Sequence, residues 1–266
     1  MTDQELFELN QRGFIPGPGE SEEAFLQRLQ AARDFVSRPF APFDSMERVP
    51  EPHWDWVRHY LRECYDFQPD HLAAYYSNRQ LAPWQGAASW VMEGNGGALC
   101  AIQLRKGFFK GRYLRIYGRD EILAHEAVHA ARCAFQEPIY EEFFAYFTSE
   151  MGWRRKLGPI VKRPSEVFFF LLALGLGAFW GHFIPAAALL AYAFIRLIRR
   201  HWILKKAAQT LFKKIQDGRI VRALLLRLTD REIEQLAAKK ILQDDGSLRF
   251  RIIRHYMNHS FNLRGV

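Results

Sequence analysis

The sequence predicts an α+β protein with a small antiparallel sheet, one prominent helix after it, an apolar helical hairpin and an α-rich basic tail. Two alternating segments, residues 88–92 and 99–104, flank a glycine-rich turn and predict a β-hairpin. An uninterrupted helical pattern follows over residues 120–134, and a 29-residue apolar run extends over residues 167–195. At 266 residues and 49% hydrophobic, the chain is neither disordered nor fibrous.

The net charge of +8 is divided unevenly along the chain. Residues 1–150 hold 15 Lys and Arg against 22 Asp and Glu, a net charge of −7, whereas residues 151–266 hold 22 against 7, a net charge of +15. The three cysteines form no CxxC pair, which favours a reducing compartment over a disulfide framework.

Residues 1–85 are predicted to form a helical region packed on the segment that follows. Ser21 is a suitable N-cap for a helix whose first turn is acidic, and Phe25, Leu29 and Phe35 recur at helical spacing. A second amphipathic helix is expected around Val57, after several prolines interrupt the chain.

Residues 86–152 are predicted to form the central unit. It begins with the hairpin, and the alternation over residues 113–117 predicts a further strand. The helix over residues 120–134 should then end before Glu137-Pro138, and another helix should continue to about Glu150.

Residues 153–202 contain the apolar run, in which His182 is the one polar residue. The run is too long for one upright membrane helix, which needs about 20 residues, and a Gly181-His182 turn near its middle predicts a helical hairpin. Basic residues flank both ends, so both should lie on the cytoplasmic side, with the hairpin dipping into or across the bilayer. A buried hairpin in a soluble domain is the alternative.

Residues 203–266 are predicted to form a basic, mainly helical tail. Thr229 and Glu232 form a capping-box pattern, and residues 248–252 alternate like a short strand. Because the positive charge clusters next to the apolar run, membrane lipid is the expected partner and nucleic acid a weaker one.

The predicted helix over residues 120–134 carries an HExxH motif, formed by His125, Glu126 and His129. Histidines four residues apart project from one helix face, so both imidazoles can bind the same Zn²⁺ ion. Glu126 would then act as the general base on a water that the zinc activates.

Catalytic zinc requires a third protein ligand and an open fourth position. If the chain reverses at Glu137-Pro138, an antiparallel helix brings Glu141 or Glu142 back beside His129, and either carboxylate could complete the site. Arg132 is expected to pair with Glu141 or another nearby carboxylate.

These motifs resemble the gluzincin metallopeptidases, over roughly residues 86–150. In the aminopeptidase branch the third ligand stands in an E-G-F-A stretch, and Glu142-Phe143-Phe144-Ala145 has the same E-x-x-A pattern. The resemblance implies a zincin-like domain in which His125, His129 and Glu142 bind zinc. It also implies an edge strand that binds the substrate backbone. Candidates for stabilising the oxyanion, in no order, are Tyr140, Tyr146, His255 and Tyr256.

The resulting hypothesis is a membrane-anchored zinc metallopeptidase with its zincin-like domain on the cytoplasmic side. Its substrate would be a polypeptide, which could itself be associated with the membrane. The alternative is a non-catalytic membrane protein in which a degenerate or structural zincin domain binds lipid or an acidic partner. The two hypotheses differ in whether a carboxylate completes the site and whether the fourth position stays open.

Overall fold

The computed structural model describes residues 1–82, 85–94, 97–114, 116–161 and 164–262, and it has the predicted α+β class. The α-helices of these ranges are α1 (Asp3–Gln11), α2 (Glu22–Ser37), α3 (Asp55–Tyr65), α4 (Arg119–Ala131), α5 (Glu141–Phe147), α6 (Gly152–Leu157), α7 (Pro164–Trp180), α8 (Ile184–Ile215), α9 (Gly218–Leu226), α10 (Asp230–Ala237) and α11 (Leu248–Asn262). The strands are β1 (Glu47–Arg48), β2 (Ala74–Tyr76), β3 (Ala87–Gly94), β4 (Gly97–Leu104), β5 (Arg112–Tyr113) and β6 (Tyr117–Gly118).

The predicted glycine-rich hairpin is confirmed, and it forms one side of a four-stranded sheet. Strands β3 and β4 pair antiparallel along their full length, and the sheet order is β1-β2-β4-β3. The sheet is mixed rather than wholly antiparallel, because β2 from the N-terminal region joins β4 in parallel. Strand β3 is therefore an edge strand, and its neighbour β4 lies inside the sheet.

The strand predicted over residues 113–117 is wrong. Its ends belong to two short antiparallel strands, β5 and β6, in which Tyr113 pairs with Tyr117. Leu114 has a φ of 50°, in the left-handed region, so the chain turns where the alternation predicts a continuous extended backbone. Arg115, at the centre of the prediction, lies outside the described residues.

The N-terminal helices pack on the sheet and on α4 around a shared core. Ser21 caps α2 by accepting from the Ala24 backbone N–H, as predicted. Helix α3 buries Val57 and Leu61 completely, and the same hydrophobic core includes residues of α1, α4, α8 and α11. Helix α4 is therefore enclosed by elements from both halves of the chain.

The apolar run forms a helical hairpin, made of α7 and the first half of α8. Gly181 has a φ of 73° at the turn, and a Cβ on Gly177 would approach the His182 carbonyl oxygen to 2.9 Å, so both positions suit glycine. Helix α8 continues through the predicted boundary at residues 202–203, and its last turns bury Leu211 and Ile215 in the shared core.

The hairpin exposes large apolar side chains to an unusual extent. Phe168, Phe179, Trp180 and Ile184 are each more than 60% exposed. In the ranges that the structure describes, no helix is at once long enough and apolar enough to cross a bilayer.

In the described residues after 203, the secondary structure consists of the end of α8 and of helices α9, α10 and α11. Thr229 and Glu232 form the predicted capping box at the start of α10. The strand predicted over residues 248–252 is wrong, since these residues begin α11. Leu248, Ile252 and Tyr256 are buried at helical spacing, a pattern that five residues alone cannot separate from alternation.

Ion pairs between the two halves of the chain neutralise part of the charge difference between them. Arg219 pairs with Asp66, and Arg251 Nε lies 2.7 Å from Asp3 Oδ1. Arg227 is completely buried and donates to Asn10 Oδ1 at 2.7 Å. Part of the basic charge of residues 151–266 therefore holds the C-terminal helices on the N-terminal half.

The pair formed by Arg154 and Glu121 predicts a large stability effect. Arg154 Nη1 lies 2.8 Å from Glu121 Oε1, and both side chains are buried. Arg154→Met should lower the free energy of unfolding by about 3–5 kcal/mol, because Glu121 would keep a buried charge without its cation. Arg155→Met, on the same helix but exposed, should change it by less than about 0.5 kcal/mol. Denaturant unfolding in detergent measures both values, and equal values would contradict the account.

Candidate functional site

Helix α4 positions the HExxH residues. Leu123, Ala124, Ala127 and Val128 are completely buried and anchor the helix against the sheet and the helices around it. The opposite face presents His125 and His129, whose Nε2 atoms lie 3.3 Å apart. The predicted spacing therefore places both imidazoles at one point, on a helix fixed along its inner side.

The chain reverses over residues 132–140 and returns as α5, as predicted, so that Glu142 faces both histidines. Glu142 Oε1 lies 3.7 Å from His129 Nε2, and Glu142 Oε2 lies 3.8 Å from His125 Nε2. One ligand atom from each of the three residues falls within 4.8 Å of the others. This is the two-histidine, one-carboxylate group that the sequence predicts.

Glu141, the alternative third ligand, contacts the other side of the same imidazole. Its Oε1 lies 2.6 Å from His129 Nδ1, which leaves His129 Nε2 directed towards His125 and Glu142. A carboxylate on the outer ring nitrogen is the usual way to orient a metal-binding histidine. The geometry thus separates the two adjacent carboxylates, with Glu142 at the candidate metal position and Glu141 behind His129.

The donor set fits Zn²⁺. Ligand atoms about 2.0–2.1 Å from a tetrahedral ion lie about 3.4 Å from one another. The Nε2 atoms, 3.3 Å apart, already have this spacing, and the Glu142 oxygens are only slightly farther away. Two imidazoles and one carboxylate are also the ligands that catalytic zinc sites use.

Glu126 lies beside this group, with a partner that the sequence analysis missed. Ser89 on β3 donates from Oγ to Glu126 Oε2 at 2.7 Å, so the sheet fixes the carboxylate. Burial raises the pKa of Glu126 although His129 and the Ser89 hydrogen bond oppose it. A polar residue on the inner face of an apolar strand is the one sequence signal that could have identified Ser89.

The electrostatics of the two histidines differ. Burial lowers the pKa of His125 well below its usual value, and the charge of His129 acts in the same direction. For His129, burial also opposes protonation, but the Glu141 hydrogen bond and the Glu142 carboxylate outweigh it and raise its pKa to about 9. The three carboxylates around the two imidazoles therefore stabilise a cation at the site, whether a proton on His129 or a metal ion.

The reversal between α4 and α5 is held by residues from the second half of the chain. Asp230 accepts from the Ile139 and Tyr140 backbone N–H groups at 2.9 and 3.2 Å, at the start of α5. Arg132 is completely buried and donates to the backbone carbonyls of Leu226 and Leu228. The carboxylate within ion-pair distance is Glu137, 3.9 Å away, and the charges of Glu141 and Asp230 also stabilise the guanidinium.

Of the four predicted oxyanion candidates, Tyr146 contacts the HExxH residues. Its ring centroid lies 4.7 Å from that of His125, and burial raises its pKa to about 12. Tyr256 is remote, with its hydroxyl on Asp66 Oδ2 at 2.9 Å, and His255 stacks on Phe7. The Tyr140 hydroxyl is buried without a hydrogen-bond partner in the described ranges. Neither Tyr140 nor Tyr146 is among the residues that line the cleft around the site.

An open cleft of about 580 Å³ connects these groups. One wall is the exposed face of α4 with α5, and the other is the edge strand β3. An extended peptide could therefore pair with β3 while its backbone passes His125, His129 and Glu126.

Comparison of the chain with protein-family models, with curated proteins and with solved structures finds no match in any of the three.

Proposed function

We propose that this protein is a zinc-dependent metallopeptidase of the gluzincin type, anchored to the cytoplasmic face of a membrane. The observation that carries the proposal is the convergence of His125, His129 and Glu142, with Glu126 beside them, in a cleft bounded by an edge strand. His125, His129 and Glu142 would hold the zinc, and Glu141 would orient His129.

When bound, zinc would polarise the scissile carbonyl and lower the pKa of a water towards 7. Glu126 would accept a proton from the attacking water and deliver it to the leaving amine nitrogen. Its raised pKa suits this exchange, and Ser89 keeps its carboxylate in place. Tyr146, whose ring packs on that of His125, would be the candidate donor for the developing oxyanion, and β3 would hold the substrate backbone extended.

The hairpin supports the membrane part of the proposal. It exposes many large apolar side chains, and Arg199 and Arg200 follow it on α8, whereas Arg196 pairs with Glu166 of α7. Basic residues beside an apolar surface match an anionic lipid headgroup layer. Helix α8 then continues into the core, and the Phe143 ring on α5 lies 4.8 Å from that of His201. The proposed site would therefore lie close to the lipid surface.

Metal removal tests the enzymatic proposal. Zinc-loaded protein should hydrolyse peptides in a mixed peptide pool, and treatment with a chelator should abolish hydrolysis, because the proposed water activation depends on the metal. One equivalent of zinc should restore the activity, as measured by mass spectrometry of the products. Calcium is the control, since it prefers six or more oxygen ligands. Equal hydrolysis with and without zinc would contradict the proposal.

Vesicle flotation tests the membrane proposal. The double variant Phe179→Glu and Trp180→Glu at the hairpin tip should lower binding to anionic vesicles by at least about tenfold, because two large apolar side chains lose their burial in lipid. Ile241→Glu is the control, since Ile241 is 86% exposed but lies outside the hairpin. Equal binding by both variants, or no binding by the wild-type protein, would contradict the proposal.

A further inference from the structure

Strand β3 presents one row of side chains to the cleft. Side chains alternate along a strand, so Ala87, Ser89, Val91 and Glu93 share a face, and all four line the cleft, with the small side chain of Ala88 reaching it from the other face. Trp90, on the opposite face, packs against the second hydrophobic cluster behind the sheet. The cleft wall therefore has a defined sequence of side chains that a bound peptide would meet in order.

The side chains of this row change along the strand from polar to apolar to negatively charged. Ser89 lies at Glu126, where the chemistry is proposed. Val91 is 51% exposed and gives an apolar contact two residues further on. Glu93 is exposed at the end of the row, about 13 Å from Ser89 at a rise of about 3.3 Å per residue.

Among the described residues, two arginines close to the cleft, Arg28 and Arg132, pair with carboxylates other than Glu93. Arg28, which lies against Gly97 opposite the end of β3, pairs with Glu20 at 2.8 Å. Arg132 lines the cleft but is completely buried; its Nη1 donates to the carbonyls of Leu226 and Leu228, and its Nη2 lies 3.9 Å from Glu137. Glu93 therefore presents a negative charge at the open end of the cleft, in the part of the chain that the structure describes.

We propose that Glu93 makes this protein select polypeptides with a lysine or arginine about four residues from the cleaved bond. This inference rests on the proposed function, and it adds a preference for a positively charged side chain in the substrate. A peptide paired with β3 places alternate side chains directly beside those of the strand. The residue beside Val91 would be apolar, and the residue beside Glu93, two positions further, would be cationic.

A degenerate peptide pool tests the proposal, with cleavage sites read by mass spectrometry. For zinc-loaded wild-type protein, Lys and Arg should be enriched about three- to fivefold at one position, three to five residues from the cut and on one side of it. An exposed ion pair supports a preference of this size. Glu93→Gln should remove the enrichment, and Glu93→Lys should replace it by enrichment of Asp and Glu.

Glu47→Lys is the matched control, because Glu47 is an exposed carboxylate on β1, at the opposite edge of the same sheet. It should keep the wild-type preference. Cleavage with a flat charge profile, or a profile that Glu93→Lys leaves unchanged, overturns this inference alone. No cleavage of any peptide by the zinc-loaded wild type overturns the proposed function and this inference with it.

Discussion

Glu126→Gln should lower kcat for peptide hydrolysis by about 10²- to 10⁴-fold, the usual contribution of a general base. The amide has nearly the shape of the carboxylate and can still contact Ser89, but it cannot accept a proton from the attacking water. Zinc content should stay near one equivalent, because His125, His129 and Glu142 remain. Steady-state kinetics and metal analysis on the same preparation measure the two quantities.

Glu23→Gln is the matched control for this change. Glu23 is exposed in the first turn of α2 and does not line the cleft, so kcat should stay at the wild-type value. A Glu126→Gln variant that retains wild-type kcat would contradict the role of Glu126. A variant that loses its zinc would show that Glu126 acts on metal binding instead of on proton transfer.

Substitutions at two of the three proposed zinc ligands and at Glu141 should separate their roles by metal affinity. His129→Ala and Glu142→Gln should bring the zinc content near zero, because each removes or weakens one of the three ligands. Glu141→Gln should keep the ligands but weaken zinc binding by about 10- to 100-fold, as the loss of a carboxylate behind a histidine commonly does. Competition with a fluorescent chelator measures these affinities.

The zinc affinities of the Glu141 and Glu142 variants, compared with each other, test which of the two glutamates binds the metal. The spacing allows either Glu141 or Glu142 as third ligand, the E-x-x-A resemblance favours Glu142, and Glu141 Oε1 lies on His129 Nδ1. If Glu141→Gln abolished zinc binding and Glu142→Gln only weakened it, the proposed assignment would be reversed. Glu234→Gln, an exposed substitution on α10, should leave the affinity unchanged.

The parts of the site that sequence analysis could predict are those determined by local spacing. His125 and His129 come together because one helical turn separates them, and the return of Glu142 follows from a short reversal between two helices. Ser89 is different, because it reaches Glu126 only through the packing of β3 on α4. Asp230 holds the backbone just before α5 from about 90 positions away, which no local pattern shows.

The fold shows the same division. The hairpin of β3 and β4, the cap at Ser21 and the capping box at Thr229 depend on neighbouring residues, and all three are confirmed. The strands predicted over residues 113–117 and 248–252 are wrong because alternation over only five residues does not determine the backbone conformation. Residues 113–117 turn at Leu114, which has a left-handed backbone. Residues 248–252 are helical because α11 buries one full face against α1 and α9.

The most direct measurement for the central claim is anomalous diffraction at the zinc absorption edge from crystals of the zinc-loaded protein. The account predicts one peak about 2.0–2.1 Å from the Nε2 atoms of His125 and His129 and about 2.0–2.2 Å from a Glu142 oxygen, with the fourth position open to the cleft. No peak at this place, or a fourth protein ligand closing the site, would contradict a catalytic metal centre. Either result would favour a non-catalytic membrane protein.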